Sequence, residues 1–303
     1  MANPGQHKLV YGLGGGLVYS CGSKGKWKTV LPKLLLSVDN DYLISTVDMS
    51  QVAAKVIYNT VGQDRLYLDS GGFTLYKYQC KRDDALAKLD PNDPDYQAKA
   101  DAIHKKFADE CNKMMRRFEK MLQICKYKEI FELDNEFFRA DADPLSTKNY
   151  CRELVKKYQG FYPTPVFKMH QGFQYWKDLC DSPVYDKLSI GGLAQTRDWK
   201  KYRPELVKMM NYARQCGKKV HLLGCQNVET FKMVKPDTVD YSIFQYAINL
   251  AHAKKEHPEL TTYEDLKIHA VLYAFARAKS RSFLYDTYID SANAAPQGNS
   301  TQP

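Results

Sequence analysis

Short apolar runs alternate along this chain with longer stretches whose apolar residues recur every three or four positions. That alternation predicts strands interleaved with helices. Two apolar runs flank Gly12, Gly14, Gly15 and Gly16 within residues 8–21 and predict a hairpin or strand–loop–strand. No helix signal follows these glycines, so they read as a flexible turn rather than a phosphate cradle. Leu34, Leu35, Leu36, Ser37 and Val38 read as a buried strand. Ser50 is the predicted cap of a short helix through Val52, Ala53, Val56 and Ile57. Residues 65–68 predict a strand ending at Asp69. Residues 95–125 predict a long helix, with Ile103, Phe107, Cys111, Met114, Phe118, Met121 and Cys125 on one stripe. Its other face carries Lys105, Lys106, Arg116 and Arg117, which read either as a solvated face or as a patch for backbone phosphates.

Strands at 129–133, 165–169, 188–190, 220–223 and 238–240 then alternate with helices at 147–158, 175–179, 203–216 and 228–234. A last amphipathic helix starts at Thr262. About eight candidate strands in this alternation predict an α/β fold with a parallel sheet, closed as a (β/α)8 barrel rather than open and doubly wound. Neither a repeat nor a linker divides the chain. Residues 1–290 therefore read as one barrel domain with insertions, and the small, polar residues 291–303 as a disordered tail.

Composition narrows the setting. The 303 residues are 44% hydrophobic, enough for a sizeable core. No stretch approaches the roughly 18 uninterrupted apolar residues of a membrane span. Residues 1–8 lack the apolar core of a secretory signal, which predicts the cytoplasm. The eight cysteines form no CxxC pair and read as free thiols, several of them in the core, with no metal site. The formal net charge of +9 favours polyanions as partners, nucleic acid among them.

The candidate chemistry lies where the apolar strands end. Asp69, Asp134 and Asp240 each close a predicted strand. Working residues of α/β barrels sit at such C-terminal ends. One strand-end aspartate reads as a helix cap; three in one chain read as function. Two carboxylates flanking one bond are the usual equipment at an anomeric carbon, one attacking the sugar and the other handling protons. The pairs Gly71-Gly72 and Gly191-Gly192 let a planar ligand approach the backbone. Gln171, beside Gly172, offers donor and acceptor together. Phe73 can stack on a base, although core packing is the commoner use of such an aromatic.

These residues resemble a family. Leu68-Asp69-Ser70-Gly71-Gly72-Phe73 resembles the DSGGF/Y signature of the tRNA-guanine transglycosylase superfamily. In the same order, Phe131 to Glu136 is similar to its strand with a base-reading aspartate. Met169-His170-Gln171-Gly172 resembles its QG motif, and Ile190-Gly191-Gly192-Leu193-Ala194 its GGLA motif. Val220 to Gly224 resembles its LMG-type strand end, and Asp237 to Asp240 its D-x-x-D segment. The likeness runs from about residue 65 to 245. It implies that Asp240 attacks C1′ and forms a covalent glycosyl ester, while Asp69 serves as acid and base. Ser70, Gly71, Gly72, Asp134, Gln171, Gly172, Gly191, Gly192, Leu193 and Gly224 would surround the base, with Phe73 and Leu223 on its faces. No cofactor is implied; the partners are guanine, a 7-deazaguanine of the preQ0 or preQ1 type, and a nucleic acid.

One departure bears on the polymer. The tRNA enzymes carry a C-x-C-x2-C plus His zinc site after the nucleophile, whereas no cysteine here follows Cys225. His252, His257 and His269 read as helix-face or surface residues. The absence of a zinc subdomain, and the residues Tyr241 to Phe244, look more like the phage and bacterial relatives that modify DNA. The expectation is therefore base exchange on DNA, with tRNA, or a non-catalytic barrel that binds nucleic acid or base, as the alternatives.

Overall fold

Eight short strands and the helices between them make up the computed structural model, which describes residues 9–13, 27–37, 40–47, 49–133, 144–192, 199–225, 227–241, 250–263, 265–266, 268–270 and 272–273. The chain runs β1 (Leu9–Leu13), α1 (Trp27–Ser37), β2 (Asp41–Ser45), α2 (Gln51–Val61), β3 (Leu66–Asp69), α3 (Gly72–Leu86) and α4 (Tyr96–Ile124). It continues through β4 (Glu129–Ile130), α5 (Pro144–Gln159), β5 (Val166–Lys168), α6 (Gly172–Asp181), β6 (Lys187–Gly191), α7 (Trp199–Gln215), β7 (Lys219–Leu222), α8 (Val228–Val234), β8 (Thr238–Tyr241) and α9 (Leu250–Glu256). The spatial order is β4-β3-β2-β1-β8-β7-β6-β5, and every neighbouring pair is parallel. A helix follows each strand, which is what parallel neighbours require.

The sheet curls until its two edges meet. Phe131, just past β4, bridges in parallel to Thr164, just before β5. Thr164 donates its N–H to the Ile130 carbonyl at 2.8 Å, and Glu132 donates to the Thr164 carbonyl at 2.8 Å. Extending the strand registers by one or two residues from Val10 leads to Tyr127 in one direction and Lys168 in the other. The bridge instead joins residues four beyond Tyr127 and four before Lys168. The offset of eight residues is the shear of eight-stranded α/β barrels.

That offset of one residue per strand sorts inward side chains into levels of four, drawn from alternate strands. The lowest level, at the N-terminal ends, is Asp41, Glu129, Lys187 and Thr238. Above it come Val10, Tyr67, Thr164 and His221, then Leu43, Phe131, Ser189 and Asp240, then Gly12, Asp69, Val166 and Leu223. Packing agrees: Val10, Leu43, Tyr67, Phe131 and Val166 form one buried cluster, with Leu223 against it. Phe131 and His221, from strands far apart in the sheet, bring their ring centroids to 4.5 Å. The larger apolar core lies between sheet and helices.

The lowest level is ionic. Lys187 pairs with Glu129, which also accepts from Thr164 Oγ1 at 2.9 Å. Lys128 reaches Asp41 Oδ2 at 2.6 Å, and the Tyr67 hydroxyl donates to the same oxygen at 3.2 Å. Burial first, then the Asp41 and Glu129 charges, raises the Tyr67 hydroxyl far above the ordinary phenol value.

Several expectations hold. Ser50 caps α2 by accepting the Ala53 N–H at 3.2 Å. The stripe Phe107, Cys111, Met114, Phe118 and Met121 is the buried face of α4. The Leu34 to Val38 run corrects another: Leu34 to Ser37 end α1, and the strand is the following segment, β2. Leu34 and Leu35 are buried while Lys33 and Leu36 are exposed, which is one helical face. Leucine favours helices, and residues 31–37 contain no β-branched residue to oppose one. β1 pairs in parallel with both β2 and β8. The return strand expected at 17–21, like the tail 291–303, lies outside the described residues. Among the described residues no helix is long and apolar enough to cross a membrane.

The ionic level yields a stability test. Lys187→Met removes the cation from beside buried Glu129 and should cost about 3–5 kcal/mol in urea unfolding. Adding Glu129→Gln should restore most of the loss. A double variant no more stable than Lys187→Met would show that the pair does not couple.

Candidate active site

Asp240 stands in β8 with its carboxylate pointing inward, and two donors fix one of its oxygens. Gly224 N–H donates to Oδ1 at 2.7 Å, and His221 Nε2 lies 3.2 Å from the same atom. The strand period explains His221: two residues before Leu223, it shares that inward parity. Its ring is fully buried, and its other nitrogen, Nδ1, lies 2.8 Å from Thr238 Oγ1. Phe131 packs against its face. Gly224 turns the chain just past β7, with φ +68°, and this aims its N–H back at β8. Among the described residues, no hydrogen bond reaches Asp240 Oδ2, and the side chain keeps 9% of its surface. Among the described residues, one oxygen is held by two partners and the other by none.

Asp69 ends β3, one level above Asp240 and three strands away. It faces the same end of the interior. Its Oδ1 accepts the Gly71 N–H at 3.1 Å, and its carbonyl accepts from Thr46 N at 3.0 Å and Thr46 Oγ1 at 2.9 Å. Gly71 is left-handed at φ +92° and starts α3 through its carbonyl. A Cβ at this position would sit 2.5 Å from Val47 Cγ2 and 3.2 Å from Met114 Sδ. Conformation and space therefore both require glycine, and the turn holds the Asp69 carboxylate by its own backbone.

The other sequence candidates take varied places. Ser70 is buried and donates to the Glu132 carbonyl at 3.1 Å, a tie between the ends of β3 and β4. Gly72 is the buried first residue of α3, and Gly191 the buried last residue of β6. Gln171 Oε1 accepts the Lys168 N–H at 2.8 Å, so that acceptor is used on its own turn. Phe73 is 49% exposed, with the Lys77 ammonium 4.2 Å from its ring centroid. Gly172 and Gly192 have positive φ, and a Cβ at either would meet nothing within 4 Å. Leu223 follows β7 against the interior cluster. Asp134 and Leu193 lie outside the described residues. His257 pairs with Glu259 at 2.9 Å and sits against the His269 ring.

The structure thus brings Asp69, Asp240, Leu223 and Gly224 to one end of the interior. It adds one residue the sequence did not single out, His221. His221 lay inside a recognised motif, and strand parity was the signal that points it inward. Cys225, which follows the β7 strand end with Gly224, is fully buried. No family model matches the chain, and no curated protein matches it.

Burial pushes the Cys225 thiol up to about 12, and the Asp240 charge adds to the rise. Burial likewise takes Cys151 and Cys180 to about 12 and Cys111 to about 11. A raised thiol contributes stability that is complete below its unfolded value, about 8.5, and lost as pH climbs to the folded value. At pH 8 these four should resist iodoacetamide, while half-buried Cys80 is alkylated, as read by peptide mass spectrometry. Labelling of Cys225 as fast as Cys80 would mean that the region around Gly224 opens to solvent.

Proposed function

We propose that the chain is a (β/α)8-barrel base-exchange transglycosylase that replaces guanine in DNA with a 7-deazaguanine. The observation that carries the reading is the half-clamped carboxylate of Asp240, with Asp69 one level above it at the same end of the sheet. The ordered motifs between residues 65 and 245 support the reaction class. DNA is preferred over tRNA because no cysteine follows Cys225 to build the zinc site of the tRNA enzymes.

In this reading Asp240 Oδ2 attacks C1′ of the target nucleotide as the C1′–N9 bond breaks, its electron pair leaving on N9. Asp69 gives a proton to the departing ring. A glycosyl ester on Asp240 then holds the sugar. The incoming 7-deazaguanine loses its ring N–H proton to Asp69 and attacks C1′. The ester bond breaks, and the Asp240 carboxylate is restored. Gly224 N–H and His221 fix Oδ1 throughout, so the attacking oxygen needs little reorientation. The target nucleotide must leave any stack first, at a cost of a few kcal/mol.

Incubation with labelled guanine and either duplex DNA or tRNA tests the reading. Label should enter DNA, and Asp240→Asn should lower the rate by about 10³-fold or more while unfolding as the parent does. Label in neither polymer, or an active Asp240→Asn, would reject it. Label in tRNA alone would move the substrate and keep the chemistry.

His221 acts as a positioning residue. His221→Ala should lower kcat by about 10²-fold with little change in KM. His221→Gln, which retains a donor near Oδ1, should recover part of the loss. Equal kcat in the two variants would deny the histidine that role.

A further inference from the structure

We infer that a basic cleft beside the mouth of the sheet, on α4, docks the phosphate backbone of the DNA strand whose base enters the site; this rests on the exchange reading above. Lys113, Arg116, Arg117 and Lys120 are spaced i, i+3, i+4 and i+7, which puts them on one face of α4. They border a cavity of about 370 Å³, opposite Gln51 and Tyr78. The remaining faces of the helix do other work, since Phe107, Cys111, Met114, Phe118 and Met121 are in the core.

Charge favours an anionic occupant. Glu110 is the acidic residue of the cleft, and it pairs with Lys113 at 2.8 Å. Arg117 Nη1 donates to the Val47 carbonyl at 3.1 Å, which ties the basic face to the turn after β2. Arg116 and Lys120 have no ionic or hydrogen-bonding partner among the described residues and are exposed. Like charges at i and i+4, here Lys113 with Arg117 and Arg116 with Lys120, weaken a helix by a few tenths of a kcal/mol each, and bound phosphates would relieve that. The basic face spans about 10 Å of helix at 1.5 Å per residue.

Position links the cleft to the chemistry. Val47 and Met114 line it, and they are the side chains that close on the Gly71 backbone from the other side. One layer of side chains therefore separates a phosphate in the cleft from the turn that carries Asp69. A solvated helix face needs neither the cavity nor this shared wall.

The test compares Arg116→Glu/Lys120→Glu with Lys105→Glu/Lys106→Glu, the same charge change at exposed positions elsewhere on α4. Binding of fluorescent duplex and single-stranded DNA is measured between about 50 and 200 mM salt. The cleft variant should bind about ten-fold or more weakly, and its salt slope should fall by about two, while the control shifts far less. Arg116→Gln/Lys120→Gln should show an intermediate loss, and matched thermal unfolding establishes that all three fold. Equal loss in cleft and control variants, or an unchanged slope, overturns the proposal even if exchange is found. Tighter binding of tRNA than of DNA, lost in the cleft variant, overturns the choice of DNA. Loss of DNA binding in the cleft variant of a protein that shows no exchange upholds the cleft and removes the enzyme.

Discussion

The parallel bridge between Phe131 and Thr164 is the contact on which the rest of the structure depends. It joins the edges of the sheet, and the eight-residue offset at that join sets which side chains share a level inside. Without it, β4 and β5 would each expose a row of unpaired backbone groups, and the inward residues would face solvent. With it, carboxylates from strands far apart in the chain are turned toward one small volume.

The two acidic residues there are held by different means. Asp240 depends on tertiary partners, a backbone N–H from the turn after β7 and a buried imidazole. Asp69 depends on its own turn, through Gly71. The first arrangement fixes one oxygen, and among the described residues its twin accepts no hydrogen bond; under the exchange reading that twin would be the attacking atom. The second keeps the carboxylate at the rim, where under the exchange reading it would pass protons.

Much of this was legible in the sequence, and the exceptions have physical reasons. The amphipathic stripe of α4 and the cap at Ser50 are local features, so periodicity and side-chain chemistry sufficed. Leu34 to Ser37 misled because an apolar run reads alike in a helix and in a buried strand. β2 was missed because Asp41, at its first position, looks like a turn residue; it is charged because the ionic level of the interior requires it. His221 was passed over because its partners are fixed by register across the sheet, which a single segment does not encode. The aspartates at 69 and 240 stood out because both end apolar runs.

The ionic level across the N-terminal end of the strands has a kinetic consequence. Asp41, Glu129, Lys128 and Lys187, capped by buried Tyr67 and Val10, give the interior a floor. Under the exchange reading a ligand would then come and go by the C-terminal ends of the strands, a single doorway. Under the exchange reading, the displaced ring has to vacate before its replacement comes in, because both use that doorway and the same seat. Turnover would then follow a substituted-enzyme (ping-pong) pattern, with the sugar parked on the protein between the two visits.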